Sequence, residues 1–293
     1  MPGGETITTV LDDSLDSVVA QARIVREFGN VMTGLADKVT LGEGMGNNWR
    51  EISMAKLTAM AITETTLEDN PQQFSDSAIT VTPSMVSVFT VWTDRAARNV
   101  NKKTWAKTGT LAQNAIERKK DVDGVTVMDG FTSLGGAGTT LTSGLIAAGS
   151  STIRANTTEP WDGPVAFVLH GFQKKDLFDE AVAGIGTYPV PAGDTSNVFK
   201  NGFTLGIDAS TGFTDNNIPI DSSDDAKGGV FASGRGGAII LCQARSPWVK
   251  TVRAEDLGGG ATKVFHRDEY AYGERSAGNW GREIYTDALA PTS

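Results

Sequence analysis

One cysteine, Cys242, and two histidines, His170 and His266, are all that 293 residues offer of the side chains used for disulfides, soft-metal sites and proton shuttling. A single thiol cannot close an internal disulfide, and the neighbours Ile239, Ile240 and Leu241 mark Cys242 as a buried strand residue. Neither histidine has a second histidine or a cysteine at metal-ligand spacing, which argues against a zinc or iron centre. Their scarcity also removes the usual general base. There is no G-x-S-x-G elbow and no G-K-[ST], and Gly42-x-Gly44-x-Gly46 is not the dinucleotide fingerprint, so neither hydrolysis nor nucleotide binding has support. No run approaches the ~20 apolar residues of a membrane span, and MPGGETITTV lacks the basic start and apolar block of a signal peptide. No cofactor or metal is expected.

Positive charge is also in short supply. Twenty-six Lys and Arg face 35 Asp and Glu, for a net −9, which argues against a surface built to grip nucleic acid phosphates. Glycine, by contrast, is abundant at 34 residues and follows no period, so many turns and irregular loops are expected. The length permits one large domain or two ordinary ones.

What is present centres on Lys103 to Met128. Trp105, Thr108, Ala112, Ala115, Ile116 and Val122 recur at close to helical spacing, while Lys107, Gln113, Glu117 and Lys120 fall on the opposite face. A helix of that length spans roughly 39 Å, more a beam than a core filler. Gly109 and Gly124 are its weak points, and the turn after Asp121 is expected to fray. Upstream, Leu11, Leu15, Val18, Ala22 and Val25 make an amphipathic helix with Asp12, Asp13 and Asp16 in its first turn; its stripe needs a surface, and Leu15 and Val18 are candidate contacts between subunits. The glycines at 42, 44 and 46 form an elbow into two extended stretches, 49–62 and 77–92, which read as a ribbon reaching ~40 to 50 Å. Trp49 stands at its base, and Glu64, Glu68, Asp69 and Asp76 make its polar tip acidic. An isolated two-stranded ribbon is marginal in water, so this one needs a partner surface, with Lys102, Lys103 and Lys107 as candidate cations on it.

Downstream, 132–160 is rich in Gly, Ser and Thr with a short helix near Leu145 to Ala148. Val165 to Leu169 reads as a buried strand, 172–183 as a helix, 203–209 as a strand and 210–227 as a polar loop; strands at 229–232, at 238–242 and through the tail complete an α+β fold. Ser53-Met-Ala-Lys56 matches S-x-x-K without its companion boxes, and Asp121-Val-Asp-Gly124 is not a calcium loop but a pair of helix-end acids.

The segments LGEGMGNNWREI (41–52), ITVTPSMVSVFTVWTDRAAR (79–98), LAQNAIERKKDVDGVTVMDGF (111–131) and FHRDEYAYGERSAGNWGREIYTDA (265–288), in this order of arm, ribbon, long helix, αβ lobe and returning strands, resemble the major capsid proteins of tailed bacteriophages, the Hong Kong 97-type shell proteins. The resemblance implies an N-terminal arm at 1–40 and an extended loop at 41–92 overlying a neighbour. It implies a peripheral domain of 93–131 with 241–293, a spine helix at 103–128 and an axial domain at 132–240. Its function would be structural, self-assembly as hexamers and pentamers into an icosahedral head around double-stranded DNA, without enzymatic activity. Expected partners are other copies of the chain, a portal, a separate scaffolding protein, decoration or minor capsid proteins and non-specifically packaged DNA, with no membrane; the expected location is the virion, assembled in the host bacterial cytoplasm. An encapsulin-like compartment shell is the alternative, and a soluble α+β enzyme a more distant one.

Overall fold

The protein is described by a computed structural model over residues 26–65, 71–100, 102–185, 206–256 and 259–291. The amphipathic stretch with Leu15 and Val18 lies outside the described residues up to position 25, as do Glu68 and Asp69. The described chain begins with a one-turn helix α1 (Met32–Leu35) and strand β1 (Asp37–Thr40), then forms β2 (Trp49–Met54), β3 (Asp76–Val81) and β4 (Ser84–Thr93). Helix α2 (Asp94–Asn99) leads into α3 (Lys102–Asp129). After β5 (Thr132–Gly135) come α4 (Ser143–Arg154), β6 (Val165–Leu169), α5 (Gly171–Ile185), β7 (Gly206–Ile207), β8 (Ser210–Thr214) and β9 (Asp225–Ala232). The chain finishes with β10 (Ile239–Ala254), β11 (Ala261–Glu274) and β12 (Gly281–Asp287).

These strands form a four-stranded sheet in the order β1-β10-β11-β4, a six-stranded sheet in the order β5-β12-β9-β6-β8-β7, and the separate ribbon β2-β3. In the first sheet β10 and β11 pair antiparallel from Ile239↔Glu274 to Ala254↔Ala261, with register shifts on either side of Arg245. Pro247 lies in the second irregular stretch, where its missing N–H interrupts no regular ladder. In the second sheet β6, Val-Ala-Phe-Val-Leu, is buried at every position, as a central strand covered on both faces must be.

Helix α3 joins the two sheets. It packs on β11 and β4 along the first and on β9 and β12 at its C-terminal end, where Val125, Met128 and Phe131 enter the main core with Val230, Phe231 and Ile284. Its 28 residues contain no proline, so no position lacks the backbone donor that a continuous helix needs. Helix α2 is capped by Thr93, whose hydroxyl accepts from the Ala96 N–H, and α4 by Thr142, which accepts from Leu145.

The structure corrects several expectations. The ribbon pairs only Trp49–Met54 with Asp76–Val81, six residues a side, and is therefore ~20 Å of ladder rather than 40 to 50. The chain changes sheets at Thr82-Pro83, and 84–93 pairs with β11, from Tyr270↔Ser84 to Ala261↔Thr93. Part of the segment read as a polar loop is β8, which adds parallel to β6; Ser, Thr and Phe suit a half-covered strand although their polarity hides it. The last turns of α3 do not fray. Ala112, Ile116, Lys120, Gly124 and Met128, each four residues apart, are buried, and the stripe includes a lysine that the sequence had placed on the solvent face. Asp121 and Asp123 are mid-helix residues, not helix-end acids.

Gly124 has a packing reason. A β-carbon there would stand 2.7 Å from Met32 Cβ and 3.3 Å from the Tyr272 ring, so glycine lets α1 lie directly on the spine. Gly124→Ala should therefore lower stability by about 1–3 kcal/mol, against the ~1 kcal/mol it would gain in helix propensity. Urea unfolding of the unassembled chain measures the sign.

Candidate assembly surfaces

The ribbon leaves the body through an elbow in which Gly44 and Gly46 adopt φ of 83° and 90°, a region that disfavours other residues. One face of its base is anchored. Trp49, Ile79 and Val81 pack with Leu41, Val39 and Cys242, which is fully buried in β10. Glu51 accepts hydrogen bonds from Arg275 Nε at 2.9 Å and Nη2 at 2.8 Å, and the same guanidinium reaches Asp37 at 3.0 Å and the Gly237 carbonyl at 2.8 Å. Arg275 is buried, and its two N–H groups converge on the single oxygen Glu51 Oε2, which fixes the direction in which the ribbon departs.

Beyond that anchor the chemistry reverses. Ile52, Met54, Leu57, Met60, Ile62 and Phe74 are each more than half exposed. A contiguous run of large apolar side chains in water is what an unassembled interface presents, since each gains about 1.5–3 kcal/mol on full burial. The four-stranded sheet offers a second such surface. Asp268 of β11 turns toward Lys120 of α3, so the alternating residue Phe265 stands on the other face. There Phe265 stacks on Phe89 at 4.6 Å with Arg267 4.9 Å above its ring, and Lys250 lies opposite Phe265 in the ladder. Arg245 covers Trp248 at 4.0 Å, and Met85 and Val252 add exposed apolar surface. This basic and aromatic face had no signal in the sequence beyond strand alternation, because its cations are distributed over two strands.

Between these surfaces the spine is tied down by charge. Lys120 Nζ lies 2.6 Å from Asp268 and 3.2 Å from Gln243 Oε1, and Gln243 donates its amide hydrogens to Asp268 and to the Arg245 carbonyl. Lys120 and Asp268 are both buried. At the next residue, Asp121 Oδ1 accepts from the backbone N–H groups of Val31 and Met32 at 2.8 and 2.9 Å, and Oδ2 accepts from Asn217 at 2.7 Å. Tyr270 donates to Asp123 at 2.8 Å. Asp121 thus joins the segment entering the body, the spine and the loop after β8.

Asp215 shares that joint. Burial, and then a hydrogen bond with the neighbouring carboxylate of Asp121, push its pKa from 3.8 up to about 7. One oxygen accepts from the Asn217 N–H at 2.8 Å, while Oδ2 is buried without another partner, the position for a retained proton.

The remaining candidates are dispersed. Trp49 serves the ribbon base; Glu64 is exposed near the tip; Lys102 and Lys103 begin α3 and Lys107 follows one turn later. The S-x-x-K residues do not act together: Ser53 hydrogen-bonds Ser77 across the ribbon at 2.7 Å, and Lys56 donates to the Thr157 carbonyl. Among the described residues no group of His, Cys, Asp or Glu could hold a metal, and no helix is long and apolar enough to cross a membrane.

No protein-family model matches the sequence, and no characterised protein matches it at sequence level. The fold does have counterparts. The capsid of cyanophage P-SCSP1u aligns over 96% of this chain and 95% of its own at a TM-score of 0.69 and 10% identity. The acid-stable capsid of Helicobacter pylori bacteriophage KHP30 aligns over 94% and 95% at 0.70 and 11%. The SrpI encapsulin of Synechococcus elongatus PCC 7942 aligns over 93% and 95% at 0.61 and 10%. The chain therefore has the α+β Hong Kong 97-type capsid fold.

Two outcomes follow from the joint. Lys120→Met should cost roughly 3–5 kcal/mol because it leaves Asp268 buried and unpaired, and Asp268→Leu in the same chain should recover much of it; urea unfolding measures both. For Asp215 the folded form holds a proton that the unfolded form releases, so its contribution is complete below the ordinary value of 3.8 and is lost as pH rises through about 7. Asp215→Asn should flatten that part of the stability–pH curve.

Proposed function

We propose that this chain is a major capsid subunit that self-assembles into the icosahedral head of a tailed bacteriophage around double-stranded DNA. What carries the reading is the end-to-end match to phage capsid structures, at 92–98% of those chains, joined to a ribbon whose large apolar side chains stand more than half exposed. The role is structural. In this reading the ribbon lies over a neighbour, its acids Glu64, Glu68 and Asp69 meeting that subunit's cations, either Lys102, Lys103 and Lys107 or the Lys250 and Arg267 face. The arm, the ribbon (41–92), a peripheral domain (93–131 with 241–293) and an axial domain (132–240) are the units that would meet in hexamers and pentamers.

A portal, a separate scaffolding protein, decoration proteins and packaged DNA are the further partners this reading calls for, with assembly in the host bacterial cytoplasm and the virion as destination. An acidic subunit suits containment of DNA better than tight phosphate binding. The encapsulin match gives the second reading, a compartment shell around protein cargo, with a lower TM-score than the phage capsids. Nuclease-protected DNA inside purified particles supports the first; a co-purifying cargo peptide in its place supports the second.

Replacing residues 64–75 with a short Gly-Ser turn removes the tip while leaving the β2-β3 ladder and its Arg275 anchor nearly whole. Folded subunits or small oligomers that do not close into stable particles are the expected products, measured by sedimentation and negative-stain microscopy. Closed particles of ordinary heat resistance would show that the tip has no role in assembly. Losses of this kind are collective, since each contact is repeated across the shell.

A further inference from the structure

Two carboxyl groups adjoin where the spine meets the loop after β8. Asp121 of α3 and Asp215, the residue following β8, are 0% and 1% exposed, and they are hydrogen-bonded to each other. Donors reach them unequally. Asp121 accepts from the N–H groups of Val31 and Met32 on Oδ1 and from the Asn217 amide on Oδ2, whereas Asp215 accepts from the Asn217 N–H and its Oδ2 has no hydrogen-bond partner among the described residues. The charged groups on the same turns of α3 are engaged elsewhere, Lys120 with Asp268, Glu117 with Asn30 and Asp123 with Tyr270. Tyr272 of β11, beside Thr33, and His170 at the end of β6 are both held in their uncharged forms by burial. No cation is among the groups that act on Asp215. Two adjoining carboxyl groups kept from water without a cation cannot both ionise cheaply, so one proton belongs to the closed arrangement.

We propose that Asp121 and Asp215 form a proton-operated clasp, closed while they share one proton and opened by its loss, when the loop 215–217 parts from the spine. The loop is the member that moves. Asp121 lies within a continuous helix and keeps the Val31 and Met32 N–H groups on its other oxygen, whereas Asp215 and Asn217 stand in a turn between β8 and the buried Ile218. Parting breaks few contacts besides the carboxyl pair: the Asn217 bonds to Asp121 at 2.7 Å and to the Gly29 carbonyl at 3.5 Å, and the bond that Asn216 accepts from the Gly171 N–H at 3.1 Å. In the open loop Asp215 regains its ordinary value of 3.8, while in the closed clasp it titrates at about 7, so opening releases a proton throughout the interval between them. The clasp is firmest below that interval and weakest above it. Since α3 packs along the four-stranded sheet and β8 belongs to the six-stranded one, this proton sets how firmly the two halves of the subunit are held at their joint. The device lies within one chain and does not depend on the shell reading.

Hydrogen exchange of the full-length, unassembled chain, followed on peptides covering 213–219 and corrected for intrinsic exchange, tests it. One released proton makes opening about tenfold more frequent per pH unit, so protection should fall by at least about tenfold between pH 5 and pH 7. Asp215→Asn, which carries an amide where the clasp holds its proton, should keep protection constant within about threefold over the same range. Asp121→Asn retains an acceptor oxygen for Val31 and Met32 but removes the carboxyl that shares the proton, and should move the fall at least about one unit toward lower pH. Unchanged protection in the unsubstituted chain overturns the clasp. So does a fall of the same size in Asp215→Asn, or an equal fall in peptides of β12, which would mark loosening of the whole subunit instead of one loop.

Discussion

The ion pair between Lys120 and Asp268 fixes where the longest helix crosses the four-stranded sheet, and the rest of the architecture is placed by that crossing. Apolar side chains alone would tolerate a helix that slides or rolls by part of a turn. A buried ammonium that must meet one carboxylate at 2.6 Å and one amide oxygen at 3.2 Å does not. Desolvating both charges leaves little net stability, but breaking the pair is costly, so its effect is to select one register. With that register set, Gly124 comes under Met32 and Met128 enters the core of the second sheet. The two backbone N–H groups of Val31 and Met32 that Asp121 binds then settle where the incoming chain lies.

Arg275 does for the ribbon what Lys120 does for the spine. Its guanidinium holds Glu51 of the ribbon and Asp37 of the body together, so the apolar excursion leaves at a defined angle instead of collapsing onto its own subunit. Preorganisation of this kind lowers the ordering cost of association, which otherwise offsets much of the energy from burying a mobile segment. The interior of the subunit thus uses polar contacts for geometry, while large apolar side chains are left outside.

Much of this was legible from periodicity. The long helix, the buried strand at 165–169, the helix after it and the ribbon's existence all follow from spacing, because in each the pattern is set by one dominant face. Lys120 is illegible because a charged residue reads as solvent-facing, although the four-residue spacing of Ala112, Ile116, Gly124 and Met128 runs straight through it. Gly124 reads as a weak point on propensity alone, since its merit lies in a partner 92 residues away, Met32. The sequence overstates the ribbon's length because Pro83 can mark either a kink in one strand or the exit from one sheet into another, and only pairing decides. Strand β8 was hidden for the same reason: a Ser- and Thr-rich strand owes its conformation to the neighbour β6.

Identities of 9 to 13% with TM-scores near 0.7 show how little of this fold depends on particular side chains. What must persist is a helix long enough to bridge two sheets and a ribbon that projects from them. Any given pair, Lys120 with Asp268 or Arg275 with Glu51, is one solution to holding those elements at fixed angles, and another pair could hold them equally well. Specific, geometrically demanding contacts thus lie inside the subunit, where they set the angles between helix, sheets and ribbon, while the large apolar side chains of the ribbon stand outside it.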